Sequence, residues 1–474
     1  MAVVFAVVWL CAILYWRSSG GAPGGGQMLL VLGVLPLGLL AGLWLIRRKR
    51  AAHRRQPEAT DTVADDDALE TDAGQVHPPL DCLAGALRLP CGDAPGAVLA
   101  ALQAPPRPGL HPRFRDRDGL PVFAAHVDGL DTEAVADAMA RLSPAEGSRA
   151  PEEERLRALA LLQPVAEELF DEVALQLPPL PASEERVVAG LRRREQHDVR
   201  EAVRIRVLLP SAWPQPLRQA CGDWLLEAAL AAGLDARRIA LELLAMQGPE
   251  DTWRLLDRLG TTAADEQSWQ LLLACDSAIG ERGVQALMSS GRLMDSRRAE
   301  GLVPGEAAAG VLLRPPGAPE PMSSEAAVAM HRVRLAALQS TPPPRAAARA
   351  TAELITRALQ HAAIEPDAVA MVVSDADQRP SRAVEASAAA ASACPELDTA
   401  TQCGALGVAC GDIGHVAPLA LLVLAAAQVR VSQQPVLALA VAAECERAAV
   451  AFAPMAPASA SSPDNAGEPP DLAA

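Results

Sequence analysis

From residue 203 to residue 452, short apolar runs alternate with amphipathic segments rich in Ala, Leu and Arg. Apolar and β-branched runs are typical of buried strands, and the amphipathic segments have the period of helices. This alternation predicts an α/β fold with a mostly parallel sheet. We expect strands at 203–209, 239–244, 269–274, 307–313, 333–338, 369–374, 436–441 and 448–452. We expect helices at 216–232, 250–259, 346–362, 383–392 and 416–431.

The N-terminal region contains two apolar runs without charge, at residues 1–16 and 28–46. At about 1.5 Å per residue, the second run just spans a hydrocarbon core of about 30 Å, and the first is marginal. Six basic residues follow within positions 47–55, which places this end of the hairpin in the cytoplasm. A cleaved signal peptide is the alternative for the first run, although no basic segment precedes it. We therefore expect a two-pass protein of the bacterial inner membrane, with its remaining chain in the cytoplasm.

Charge and composition exclude several classes of function. The chain has 42 basic and 58 acidic residues, a net charge of −16, which repels nucleic acid. Lys49 is the single lysine and lies in the basic cluster, so the rest of the chain has neither a P-loop lysine nor a Schiff-base lysine. Cys403, Cys410 and His415 lie near one another in sequence, but three ligands are too few for a structural zinc site. We expect no cofactor and no metal.

The chain divides into five segments by composition. Residues 1–55 form the predicted transmembrane hairpin, and residues 56–76 are an acidic linker that we expect to be disordered. Residues 77–318 and 319–452 are the two halves of the α/β domain, with a Pro-rich stretch at 315–321 marking the seam. Residues 453–474 are rich in Pro, Ala and Ser and should be a disordered tail. Residues 77–200 carry no motif.

Three segments, in the right order, resemble motifs of the β-ketoacyl synthases of the thiolase superfamily. The first is GLVPGEAAAGVLL at 301–313, similar to the family's Gly-Glu-Gly-Ala-Gly segment before a hydrophobic strand. The second is IEPD at 364–367, similar to the turn before the strand that delivers the first catalytic histidine. The third is Gly414 and His415 at a helix start, similar to the motif that delivers the second histidine.

This resemblance implies an α/β, thiolase-like αβαβα layered fold of two similar halves, here preceded by the transmembrane helical hairpin. It also implies a homodimer in which two copies pair their strands at 239–244, because that edge is costly to leave bare. An acyl carrier or an acyl thioester is the ligand that the resemblance implies.

The catalytic residues of that family are largely missing from this chain. The elbow after the strand at 239–244 reads LLAMQGPEDTW, and neither Cys nor His occurs between residues 223 and 273. With the first-histidine motif aligned on Glu385, Ser374 replaces the histidine and Arg382 replaces the motif aspartate. Cys410 replaces the family's lysine, so that only His415 matches.

His415 is therefore the one catalytic candidate, although a single histidine without partners is more typical of a capping or core residue. The charged cluster Asp375, Asp377, Arg379, Arg382 and Glu385 would lie in a loop at the mouth of the implied pocket. The alternative is that these residues pair with one another in a solvated loop. Residues 108–123 form either a plain loop with a short strand or a docking surface. The pocket candidates are Ser374, Asp375, Asp377, Arg382, Glu385 and Cys410.

We therefore expect a membrane-anchored, catalytically degenerate β-ketoacyl synthase-like protein that binds or scaffolds at the cytoplasmic face of the membrane. One alternative is an active acyltransferase, a 3-oxoacyl synthase of fatty-acid or polyketide type with an atypical site. Another is a structural component of an envelope complex. A cysteine within reach of His415 would favour the enzyme.

Overall fold

A computed structural model describes residues 77–142, 151–179, 185–188, 191–194, 201–263, 266–322, 327–338 and 342–455 of the chain. They belong to one compact unit, Val76–Ala474. The predicted transmembrane hairpin, the predicted linker and residues 456–474 of the predicted tail lie outside the described residues.

Fifteen strands occur in the described residues. In chain order they are β1 (Leu80–Arg88), β2 (Gly109–Arg115), β3 (Pro121–Ala124), β4 (Glu185–Val188), β5 (Leu191–Arg194), β6 (Val203–Pro210), β7 (Ile239–Met246), β8 (Trp269–Ser277), β9 (Glu306–Arg314), β10 (Val328–Met330), β11 (Arg334–Ala337), β12 (Met371–Ser374), β13 (Cys403–Ala405), β14 (Val436–Ala440) and β15 (Glu446–Pro454).

Ten α-helices connect these strands in the described residues, and two short 3-10 helices lie at Pro366–Ala368 and Gly414–Val416. The α-helices are α1 (Pro95–Leu102), α2 (Thr132–Leu142), α3 (Glu153–Gln176), α4 (Gln215–Ala231), α5 (Pro249–Thr261), α6 (Glu281–Ser289), α7 (Pro344–Ala362), α8 (Pro380–Ala393), α9 (Leu406–Cys410) and α10 (Ala417–Ser432).

Each half of the domain repeats the same strand order. The first half reads β7-β6-β8-β9-β1 across its sheet, and the second reads β13-β12-β14-β15 followed by β10 and β11. With β10 and β11 counted together as the first strand of the second half, each half-sheet reads third, second, fourth, fifth, first. Strand β10 also pairs with β1, which joins the halves into one eleven-stranded sheet.

The prediction of a mostly parallel sheet is wrong, because the sheet is mixed. Strand β6 is parallel to β7 and β8, and β12 is parallel to β13 and β14. The fifth strand of each half, β9 or β15, runs antiparallel to all its neighbours. Helices α4 and α8 give their half-sheets parallel crossovers, whereas β15 follows β14 through a short turn that reverses the chain.

Three apolar cores separate the layers of the domain. One core lies between the two half-sheets and contains α5 and α10. The second packs α2, α3 and α4 on the outer face of the first half-sheet, and the third packs α7 and α8 on the outer face of the second. Alternating residues of β9 show the layering, since Ala307, Ala309 and Val311 face the central core and Leu312 faces the outer one. The layers therefore follow the order αβαβα.

Helix α10 is apolar on all sides because it is surrounded by protein. Among the described residues, the segment Gly414–Ser432 is long and apolar enough to cross a bilayer, yet most of it is buried in the domain. Its composition follows from its place in the central layer.

The strands and helices predicted from residue 203 onward are confirmed, with ends that move by a few residues. Ala453 and Pro454 pair with β10, so these two residues belong to β15 and not to the predicted tail. Residues 109–124 form the hairpin β2–β3, which is more ordered than the predicted loop with a short strand.

Candidate functional site

A cavity of about 610 Å³ lies where the two central helices begin. Its walls come from the elbow between β7 and α5, the loop after β12, the turn before α10 and the loop after β14. The charged residues that line it are Glu250, Asp276, Arg292, Asp375, Asp377, Arg379, Asp412 and Glu444. Six carboxylates and two guanidinium groups therefore face one space.

The elbow carries no nucleophile. Strand β7 ends at Met246, and Pro249 occupies the first turn of α5, a position where a missing N–H costs nothing. The Asp251 carboxylate accepts the backbone N–H of Gln247 at 2.8 Å, which holds the elbow against the first turn of α5. Glu250 lies in the same turn, and both acidic groups favour the positive end of the helix dipole.

The cavity walls offer carboxylates as their reactive groups. Among the described residues that line the cavity, none is Cys, Ser, Thr, Tyr, Lys or His. A thiolate, an alkoxide or an imidazole base is therefore not supplied by these walls, whereas a carboxylate is.

Two of the lining carboxyl groups hold protons more strongly than usual. Burial raises the pKa of Asp375 to about 6, against the opposing effect of two backbone donors, Val441 N at 2.6 Å and Ala442 N at 2.9 Å. Burial also raises the pKa of Asp412, whose carboxylate accepts the backbone N–H of Gly414 at 3.2 Å. Asp377 instead forms an ion pair with Arg379, with 2.7 Å between Oδ2 and Nη2.

His415 lies beneath the cavity wall and is only 2% exposed. Its Nε2 donates to the carbonyl oxygen of Leu208 at 3.1 Å, because that oxygen can only accept. Its Nδ1 lies 3.4 Å from Oδ2 of Asp276, and its backbone carbonyl accepts the Thr252 hydroxyl at 3.0 Å. The Nε2 atom is thus occupied, and the side chain ties the first half of the domain to the start of α10.

The pocket candidates are only partly brought together. Asp375 and Asp377 line the cavity, but Ser374 is buried and its hydroxyl donates to the Gly404 carbonyl at 3.1 Å. Arg382 pairs with Glu385 at 3.2 Å, and neither of them lines the cavity.

Glu385 belongs to a buried ion pair and not to a solvated loop. It is 1% exposed, and both of its oxygens accept from Arg447, with 3.0 Å between Oε2 and Nη2. Thr351 donates to the same carboxylate at 2.8 Å. Arg447 also donates to the backbone carbonyls of Ala443 and Glu446, so the network holds the loop after β14 against α8. The predicted pairing within the charged cluster is confirmed for Asp377 with Arg379 and for Glu385 with Arg382. The side chains of these pairs are at most 11% exposed and do not lie in a solvated loop.

Cys410 lies behind the cavity wall and touches another thiol, Cys91, with 3.3 Å between the sulfur atoms. Burial raises the pKa of Cys403 to about 12. Across the described part of the chain, no group of three or more His, Cys, Asp or Glu side chains is placed to hold a metal ion.

Glu306, in the segment that resembles the family's glycine-rich motif, has a structural role. It is fully buried and accepts Arg157 Nε at 2.8 Å, Ser277 Oγ at 2.9 Å and the backbone N–H of Val127 at 2.7 Å. These bonds fix the start of β9 against α3. Arg157 and Val127 belong to residues 77–200, where the sequence showed no motif.

The sequence prediction missed five charged cavity residues, Glu250, Asp276, Arg292, Asp412 and Glu444. They come from the first turn of α5, the end of β8 and three separate loops, and no spacing in the sequence connects them. The sequence held one signal for Asp412, the two glycines at 411 and 414 on either side of it. In the structure their φ angles are +66° and +56°. Glycine adopts such angles readily, and a pair of them indicates a tight turn at a wall.

No model of a protein family matches the chain. No curated protein sequence matches it either. Solved structures do match it. The oxazolomycin ketosynthase domain OzmH KS7 from Streptomyces albus JA3453 has a TM-score of 0.51 at 13% identity, and the match covers 80% of this chain and 74% of that one. The ketosynthase from module 6 of the bacillaene synthase of Bacillus subtilis 168 has a TM-score of 0.50 at 9% identity, covering 80% and 72%.

These likenesses agree with the repeated strand order, the central layer of two helices and the cavity at their starts. At such identities they establish architecture and not activity. The predicted resemblance is confirmed at this level: the chain has the thiolase-like fold of the β-ketoacyl synthases.

Proposed function

We propose that this ketosynthase-fold chain does not condense acyl thioesters through a cysteine, and that it acts as a binding or scaffolding module. One observation carries the proposal. The elbow at the start of α5 presents Gln247, Gly248 and Pro249 to the cavity, where cysteine-dependent condensation needs a thiol.

The thiols of the described residues support this proposal by their positions. Burial raises the pKa of Cys221 to about 12 and that of Cys394 to about 11, and it raises the pKa of Cys275 well above its usual range. A thiol in that state is a poor nucleophile at neutral pH. None of the cysteines in the described ranges lines the cavity.

The charge of the cavity also argues against the condensing reaction. Six carboxylates against two arginines give the walls a negative balance, and burial weakens screening by water. A negatively charged donor would be repelled there. The same walls suit a neutral or cationic group of a bound partner.

We place this module at the cytoplasmic face of the bacterial inner membrane, as a two-pass protein. The two apolar runs and the six basic residues after them support that placement. A cytosolic reporter fused after Ala474 should be active, and an oxidation-dependent periplasmic reporter at the same position should be inactive. Activity of the periplasmic reporter would disprove the topology.

Mass spectrometry of the full-length chain after incubation with an acyl thioester tests the loss of chemistry. We expect no stoichiometric acyl adduct on any cysteine. The variant Gln247→Cys is the matched control, because labelling of its new thiol by iodoacetamide shows that small reagents reach the elbow.

The same experiment also tests the alternative, an active acyltransferase with an atypical site. An acyl adduct on a native cysteine that is abolished by His415→Ala would show a rebuilt site and overturn the proposal. An acyl carrier protein is the partner that we propose for this chain. A pull-down with the full-length chain tests that binding.

A further inference from the structure

Two cysteines that are 319 residues apart in the sequence meet behind the cavity. Cys91 lies in the tight turn after β1, where Leu89 and Gly92 exchange backbone hydrogen bonds at 2.9 and 3.1 Å. Cys410 is the last residue of α9 and is fully buried. Their sulfur atoms are 3.3 Å apart, and both thiols are free.

The two thiols are unequal, as a reactive pair requires. The hydrogen bond from the Cys410 thiol lowers the pKa of Cys91, although partial burial opposes it. The same hydrogen bond, together with full burial, raises the pKa of Cys410 well above its usual range. Cys91 is half-buried and Cys410 is fully buried, so Cys91 is the more accessible thiol of the pair.

We propose that Cys91 and Cys410 form a redox-active dithiol that a hydroperoxide converts into a disulfide. The contact between the sulfurs carries this assignment, because a disulfide needs the two sulfurs to approach by only about 1 Å more. It does not depend on the function proposed for the cavity.

The reaction balances with hydrogen peroxide as the oxidant. The Cys91 thiolate attacks one oxygen, the O–O bond breaks, and hydroxide leaves with a proton as water. The resulting sulfenic acid is then attacked by the Cys410 sulfur, so that an S–S bond forms and the S–O bond breaks. The departing hydroxide takes the Cys410 thiol proton as a second water. Two thiols are oxidised, and one peroxide is reduced.

The disulfide would act on the cavity wall. Gly407 and Gly411 on either side of Cys410 both line the cavity. The carbonyl oxygen of Cys410 packs directly against Gly305, so α9 has little room to move independently. Cross-linking its last residue to the turn after β1 fixes this wall to the first half of the domain.

Peptide mapping of the reduced full-length chain under hydrogen peroxide tests the proposal. We expect a Cys91–Cys410 cross-linked peptide and a mass loss of about 2 Da, reversed by dithiothreitol. Cross-linking should be at least about tenfold faster than oxidation of the exposed Cys445, which is the internal control.

Single variants distinguish the thiol that attacks the peroxide, Cys91, from the thiol that then attacks the sulfenic acid, Cys410. In Cys410→Ser, Cys91 should accumulate as a sulfenic acid that dimedone traps, whereas in Cys91→Ser the thiol at 410 should stay reduced. Cys445→Ser should form the cross-link normally. Oxidation of Cys445 with Cys91 and Cys410 left as thiols in the wild-type chain would overturn the proposal, whether or not the variants fold.

Discussion

At the scale of single residues, three side chains predicted as catalytic or pocket residues are engaged in bonds inside the protein. The Ser374 hydroxyl is held by Gly404, the Glu385 carboxylate by Arg447, and the His415 ring by Leu208. Buried polar groups need such partners, because an unpaired one costs about 1–3 kcal/mol. A residue that matches a catalytic motif at one position is therefore evidence for a shared fold and not for a catalytic role.

Asp375 provides a pH-dependence test of the cavity. Its pKa in the folded protein is about 6, whereas an unfolded carboxyl group titrates near about 4. Between these two pH values the folded state holds a proton that the unfolded state has lost, so stability falls as the pH rises through this window. Ionised Asp375 should therefore cost about 2–3 kcal/mol at pH 7 relative to pH 4.

Asp375→Asn should remove that cost, because the amide oxygen still accepts the N–H groups of Val441 and Ala442. Urea unfolding should find the variant more stable than the wild-type protein at pH 7 and equally stable near pH 4. The exposed Glu353→Gln is the control and should follow the wild-type curve. Equal stabilities of Asp375→Asn and wild type at pH 7 would contradict the prediction.

Sequence reasoning about the site succeeded for Asp375 and Asp377, because both follow directly after a recognisable strand. It failed for Glu250, at the start of a predicted helix, and for Glu444, in the loop after β14, because no motif marks either position as part of a cavity. The Cys91–Cys410 contact was also out of reach, since no local pattern relates a turn after β1 to the end of α9.

At the scale of elements, the cavity wall depends on two loops that lie side by side. Gly305 donates its N–H to the Asp412 carbonyl at 3.1 Å, and Asp412 donates to the Val303 carbonyl at 2.8 Å. A Cβ atom at position 305 would overlap the carbonyl oxygens of Cys410 and Asp412. The first glycine of the Gly-Glu motif is thus explained by close approach of two backbones.

Gly305→Ala should destabilise the domain by about 1–3 kcal/mol, since the overlapping atoms are backbone and cannot rotate away. Gly96→Ala in α1 is the matched control, because nothing lies within 4 Å of the added methyl group and alanine favours a helix by about 0.5–1 kcal/mol. Thermal unfolding of both variants measures the difference. Equal melting temperatures for the two would exclude the close approach.

Elements were predictable where their composition agreed with their structure. The β-branched and Leu-rich strand β6 and the amphipathic α7 were found within two residues. Strand β1, LDCLAGALR, was missed because it contains no β-branched residue. Its strand conformation follows from pairing with β9 and β10, which the local sequence does not encode.

At the scale of the whole molecule, the alternation of strands and helices predicted the class of fold, and the motif order predicted the architecture. Strand direction was not predictable, since β9 and β15 reverse through connections whose course depends on packing. The duplication of strand order was also hidden, because the two halves share topology without an obvious repeat in sequence.

The free edge of the sheet leads to a prediction about assembly. In the described part of the sheet, β7 is the terminal strand and pairs with β6 alone. Leu241, Leu243 and Leu244 on it are only half-buried. An unpaired apolar edge favours association with another strand, so we expect two copies to pair through β7.

Light scattering of a chain trimmed to residues 77–455 measures the assembly directly. We expect twice the mass of one copy at micromolar concentration. Ala245→Lys should dissociate the dimer, because the exposed Ala245 lies on β7 and the new charges would meet across the strand pair. Ala236→Lys, exposed in the loop before β7, should leave the dimer intact. A strict monomer of the unaltered sequence would show that the edge is covered in some other way.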